Sequence, residues 1–214
     1  TNKIKQIFND DKYPILIDEE GGRVSRLRNF IDNSTFTAEY FGKLYTQNNN
    51  KFNLYIEIYI KQLCYLLDTL GINLNTCPVL DVKRDNSHKI ISDRSYSKNP
   101  KIVSKIGDKC IYLFHKYRIS TLIKHVPGHG LTKADSHKKL PFINKTTNYL
   151  NKIDFLAFRN KKSLFAMTAH VVFKKQDPNF CVTHSKKMIK IIRNNIGFKN
   201  ILISDDLSMK ALKY

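Results

Sequence analysis

Residues 51–82 read KFNLYIEIYIKQLCYLLDTLGINLNTCPVLDV, and the change of period inside that stretch decides the fold. In its first part Phe52, Tyr55, Tyr59, Leu63, Leu66 and Leu70 recur at helical spacing, which predicts one amphipathic helix over Lys51 to Leu70. Gly71 supplies the C-terminal stop of that helix. With no linker between, Ile72 to Val82 is an apolar run of strand character. The same junction recurs downstream. Asn99-Pro100 reads as cap and first position of a helix carrying Ile102, Val103, Ile106, Cys110, Leu113 and Tyr117, and after Ile119 the run Ser120 to Ile123 follows at once. Ser185 caps a helix bearing Met188, Ile189, Ile192 and Ile196, which Gly197 ends before Ile201 to Ile203. Pro14 to Ile17 and Leu164 to Ala169 complete five strand candidates in a chain of alternating strands and helices, the pattern of a parallel α/β architecture.

The connections are asymmetric. Helix-to-strand turns take a few residues at most, whereas each strand is followed by a long polar segment: Asp18 to about Asn50, Lys83 to Asn99, Lys124 to about Thr146, and His170 to His184. Long loops at the carboxyl ends of strands belong to a TIM-type (β/α)8 barrel, whose chemistry sits on that face. A doubly wound open sheet shows the same asymmetry, but the glycine-rich dinucleotide loop that would support one is absent. A barrel takes about 250 residues and eight strands. The 214 residues and five strands here fall short of that count, and one domain over residues 1–214 is expected. The start at Thr1 instead of Met leads to the expectation that residues precede Thr1 or that the initiator was removed.

Composition removes whole classes of function. Hydrophobic residues make up 42% and aromatics 11%, too much burial potential for a disordered chain. No stretch approaches a membrane span, and the first residues lack the apolar core of a secretory signal, so a cytoplasmic protein without membrane contact is expected. The four cysteines, at 64, 77, 110 and 181, form no C-x-x-C pair and read as reduced, buried thiols. The 37 Lys and Arg against 18 Asp and Glu leave a net charge of +19, which raises the alternative of a basic nucleic-acid-binding module. The charge is scattered in pairs such as Lys138-Lys139 and Lys186-Lys187, without a concentrated stripe, so no nucleic-acid partner is expected.

Titratable residues recur where the strands end: Asp18 after Ile17, Lys124-His125 after Ile123, His170 after Ala169, and Asp205-Asp206 after Ser204. One such residue reads as a cap or a solvated charge, but several at the same end of successive strands converge on the mouth of a barrel. Residues 124–137, KHVPGHGLTKADSH, hold three histidines. Pro127 and Gly128 between His125 and His129 argue against a helical metal pair, and no metal or cofactor is expected. Asp135 two residues before His137 can orient the imidazole and raise its basicity, a general acid/base pair on a glycine-flanked loop.

Six motifs occur in a recognisable order and spacing: Asp18-Glu-Glu-Gly-Gly-Arg-Val-Ser-Arg26, Asp93-Arg-Ser95, Lys124-His-Val-Pro-Gly-His-Gly130, Asp135-Ser-His137, Ala166-Met-Thr-Ala-His170 and Ser204-Asp-Asp-Leu-Ser-Met209. In this set the chain resembles glycoside hydrolase family 3, and within it the bacterial β-N-acetylhexosaminidases of peptidoglycan recycling. The resemblance implies the N-terminal-type catalytic barrel of that family over residues 1–214, here partial and lacking strands at both ends because the family has sequence on both sides, and a retaining, exo-acting β-N-acetylglucosaminidase. Asp205 would be the nucleophile, with His137 as acid/base and Asp135 as its partner. It also implies that Asp18 accepts hydrogen bonds from sugar hydroxyls while Arg26, Arg94, Lys124 and His125 complete the pocket. Asp206, His129 and His170 read as supporting residues. Muropeptides carrying terminal N-acetylglucosamine are the implied substrate, a monomer is expected, and phosphorolysis at the same site is the alternative reaction.

Overall fold

The computed structural model describes residues 1–85, 90–132 and 140–212. Its helices are α1 (Asn2–Ile7), α2 (Ala38–Gln47), α3 (Asn49–Thr69), α4 (Pro100–Lys116), α5 (Thr147–Lys152), α6 (Asp154–Phe158) and α7 (Lys186–Ile191). Its strands are β1 (Leu16–Ile17), β2 (Leu74–Asn75), β3 (Ser120–Val126), β4 (Phe142–Ile143), β5 (Phe165–Thr168), β6 (Val172–Phe173) and β7 (Ile201–Ser204). The five anticipated strands form one sheet in the order β1-β2-β3-β5-β7, every pair parallel. Spatial order equals chain order, so each helical crossover steps the same way round. A doubly wound sheet reverses direction at a switch point, and this sheet does not, which is the barrel pattern. β4 and β6, which lie within the long segments after β3 and β5, pair separately as a short parallel ribbon that periodicity did not anticipate.

Local chemistry explains the helix ends. The Asn48, Asn99 and Ser185 side chains accept the amides of Lys51, Lys101 and Met188 at the starts of α3, α4 and α7. Gly197, at φ +80°, ends the π-helical turn Ile192–Ile196 that continues α7. The face of α3 is corrected: Phe52, Ile56, Ile60, Leu63, Cys64 and Leu67 are buried, while Tyr55 is exposed. Tyr55, Tyr59, Leu66 and Leu70 of the expected stripe lie at its rim, and Phe52 with the aliphatic row through Ile56, Ile60 and Leu67 packs toward α2 and α4.

Strand β2 is also shorter than its apolar run, because side chains replace part of its ladder. Asn75 accepts the Glu19 amide at 3.1 Å and donates to the Glu19 carbonyl at 2.8 Å, and the Asn73 amide group does the same for Ile15 and Tyr13. Every residue of β3 after Ser120 is buried, as in a strand covered on both faces. One apolar cluster joins β3 and β5 to α6 and α7, and a second packs α2, α3 and α4 together. Cys64, Cys77, Cys110 and Cys181 are buried and unbridged. Among the described residues no helix is long and apolar enough to cross a membrane.

Candidate active site

The strand ends open into a cleft of about 220 Å³. Asp18 and Glu20 from the β1 loop, Arg26, Arg94, Lys124, His125, His129, Met167 and Asp205 are on its wall. Five parallel strands brought to one side account for the convergence: Asp18 follows β1, Lys124 and His125 end β3, Met167 is in β5, and Asp205 follows β7. Gly21 and Gly22 turn the β1 loop back at φ +87° and +57°, a region an L side chain rarely enters. The Glu19 carboxylate, wholly buried, holds the returning segment by accepting the amides of Arg26 and Leu27 and the Asn33 side chain. Alternation along the extended loop puts Glu19 on one side and Asp18 and Glu20 on the other.

Lys124 is the centre of the charge network. Its ammonium, 3% exposed, donates to Asp18 Oδ1 at 2.8 Å, Glu20 Oε1 at 2.6 Å and Thr76 Oγ1 at 2.7 Å. All three ammonium protons are taken. Arg94 grips the same Glu20 with Nε at 2.7 Å and Nη2 at 2.9 Å, a two-point contact, while Arg26 lies 3.6 Å from Asp18 Oδ2. Thr76 completes the set by donating to Asp18 Oδ1. Burial alone would raise the Glu20 carboxyl, but Lys124 and Arg94 hold it at about 2; burial is likewise outweighed at Asp18, which Lys124 and Thr76 keep at about 2. Burial pushes Lys124 toward the neutral amine, and Glu20 and Asp18 reverse this and hold it above its ordinary value. Cations and carboxylates therefore alternate along one wall, all ionised at neutral pH, an arrangement able to give and accept hydrogen bonds along a polyhydroxylated ring.

The second wall is built on Asp81, which has no exposed surface. Its Oδ2 lies 2.6 Å from His125 Nδ1, and its Oδ1 accepts the His129 amide at 2.6 Å. Burial would raise the Asp81 carboxyl, yet the two histidines hold it below its ordinary value. Burial, helped by His125, lowers His129 to about 4, so that imidazole is neutral at physiological pH. His170 spans the nucleophile candidate's loop: its Nε2 donates to the Asp206 carbonyl at 3.0 Å and its Nδ1 meets Thr183 Oγ1 at 2.8 Å. Asp205 is half-buried and accepts the Asp206 amide at 2.8 Å, while Asp206 turns outward to the Ser208 amide and hydroxyl.

Of the sequence candidates, Asp18, Arg26, Arg94, Lys124, His125 and Asp205 come together around this cleft. Asp135 and His137 lie outside the described residues. Glu20, Thr76 and Asp81 were missed. The two-residue spacing of Asp18 and Glu20 was a signal for the first, and a lone carboxylate inside the apolar run Pro78 to Val82 was one for the last. Thr76 carried none. Among the described residues no group of three or more His, Cys, Asp or Glu side chains is placed to hold a metal ion.

The family model for the glycosyl hydrolase family 3 N-terminal domain matches residues 5–214. A beta-hexosaminidase from Tolumonas auensis is 32% identical over 97% of this chain and 62% of its own length. Beta-hexosaminidase A from Pseudoalteromonas piscicida is 29% identical over 92% of this chain and 35% of its own. Among solved structures, NagZ from Neisseria gonorrhoeae in complex with N-trifluoroacetyl-D-glucosamine superposes with a TM-score of 0.81 at 29% identity, covering 91% of this chain and 58% of that one. A family 3 β-N-acetylglucosaminidase from Paenibacillus sp. str. FPU-7 gives 0.82 at 28% identity, covering 94% and 38%. The chain thus spans roughly a third to three-fifths of the length of the relatives it matches.

Proposed function

Because the chain belongs to glycosyl hydrolase family 3, we propose that it is the catalytic barrel portion of a retaining, exo-acting β-N-acetylglucosaminidase that removes terminal N-acetylglucosamine from peptidoglycan fragments. The observation that carries the reading is the meeting of a half-buried carboxylate, Asp205, with the Asp18, Lys124, Glu20 and Arg94 network around one small polar cleft. Relatives named as beta-hexosaminidases, and a similar structure holding an N-acylated glucosamine, support the choice of sugar.

In this mechanism the ring hydroxyls bond to Asp18 Oδ2, Arg26 and His125, three groups on the cleft wall that retain bonding capacity. Lys124 and Arg94 act chiefly by fixing the carboxylates, since Lys124 already spends every donor on the protein. An Asp205 carboxylate oxygen attacks the anomeric carbon as the bond to the leaving oxygen breaks, and the negative carboxylate stabilises the oxocarbenium-like transition state. His137, oriented by Asp135, protonates that oxygen; it then takes a proton from water, which attacks the anomeric carbon and releases Asp205. His170 holds the backbone that follows the nucleophile through the Asp206 carbonyl.

The test is hydrolysis of an aryl β-N-acetylglucosaminide by the full-length protein. Asp205→Ala should cost on the order of 10³-fold or more in kcat. His137→Ala should spare aryl substrates with good leaving groups more than poor ones, because less protonation is needed to break the first bond. Unchanged turnover in Asp205→Ala overturns the reading, and sugar phosphate as product in phosphate buffer replaces hydrolysis by phosphorolysis.

A further inference from the structure

We propose that Asp81 is a positioning residue of this site, fixing the His125 imidazole in one tautomer and one orientation so that Nε2 faces the cleft. The inference rests on the function proposed above and adds to it a residue that touches no substrate.

Three contacts meet on the Asp81 carboxylate: His125 Nδ1 at 2.6 Å, the His125 amide at 3.3 Å and the His129 amide at 2.6 Å. The acid therefore holds one histidine by its ring and backbone and the other by its backbone. An ionised carboxylate only accepts, so the Nδ1 that faces it carries the proton. The remaining ring nitrogen, Nε2, belongs to a side chain on the cleft wall, and in the neutral ring it presents a lone pair there. A sugar hydroxyl donates to it. That complements Arg26, which supplies donors to the same cleft.

The placement of Asp81 also fits an anchor better than a substrate ligand. It has no exposed surface, and it follows Leu80, whose amide bonds to the Lys124 carbonyl at 2.8 Å and ties the segment to the end of β3. Backbone and carboxylate together thus set where His125 stands relative to Lys124.

Asp81→Ala removes the acceptor that holds the proton on Nδ1 and leaves the neutral ring to its intrinsic preference for Nε2–H. In the full-length protein, ¹⁵N-histidine spectra should show the Nδ1–H tautomer for His125 in the wild type and Nε2–H in Asp81→Ala. The variant should lose about 10- to 100-fold in kcat/KM. In a His125→Gln background the same substitution should add less than about twofold, because Asp81 acts through that ring. An unchanged tautomer, or an equal loss in both backgrounds, overturns the proposal. The spectra need no turnover, so a protein that hydrolyses no N-acetylglucosaminide refutes the proposed function while the tautomer still decides whether Asp81 holds His125.

Discussion

Replacing Lys124 by Met keeps most of the stem and removes the ammonium that lies 2.6 Å from Glu20 and 2.8 Å from Asp18. Glu20 is 5% exposed, so water cannot take over the lost charge. Its carboxyl is held at about 2 against an ordinary 4.5. At about 1.36 kcal/mol per pKa unit, the net depression amounts to about 3 kcal/mol. Arg94 supplies part of it and remains in the variant, and Asp18, more than a third exposed, adds little after solvent screening. Lys124→Met should therefore cost on the order of 2 kcal/mol near neutral pH. A depressed carboxyl contributes stability above its unfolded value of 4.5 that is lost as pH falls through about 2, so the gap between wild type and variant must narrow in acid. Urea unfolding of the full-length protein and its Lys124→Met variant, at about pH 7 and about pH 3, measures both effects. A gap below about 0.5 kcal/mol at neutral pH, or one that widens on acidification, refutes the reasoning.

Asp154, at the start of α6, has no exposed surface and, among the described residues, neither of its oxygens has a hydrogen-bond partner; burial raises it to about 7. A carboxyl raised on folding loses stability as pH climbs from 3.8 through 7, so Asp154→Asn should gain on the order of 2 kcal/mol at about pH 8 and almost nothing at about pH 4, read by urea midpoints. Gly42 in α2 faces the Tyr96 backbone so closely that a Cβ would stand 1.6 Å from the Tyr96 carbonyl oxygen. Gly42→Ala should cost about 3 kcal/mol despite the better helix propensity of alanine, and a gain in thermal stability would contradict the close packing of α2 on that segment.

The apolar periods, the Asn99 and Ser185 caps and the asymmetry of loop lengths determined the five strands of the main sheet, the helices α3, α4 and α7 and the barrel pattern, because these depend on neighbours in the chain. The strand-end residues Asp18, Lys124, His125 and Asp205 were legible for the same reason: parallel strands in chain order must bring their ends to one side. The face of α3 was not legible, since Tyr55 and Ile56 are both apolar and only the position of α2 and α4 decides which is covered. Nor was the state of the charges. In the sequence Lys124 is a cation near a binding loop, yet in the fold its three protons are already committed to Asp18, Glu20 and Thr76. Asp81 lies 44 residues before His125, and nothing local joins them. Hydrogen bonds reach about 3 Å, so whether a buried charge is paired, and which nitrogen of an imidazole is left to meet a ligand, is settled by tertiary contact alone.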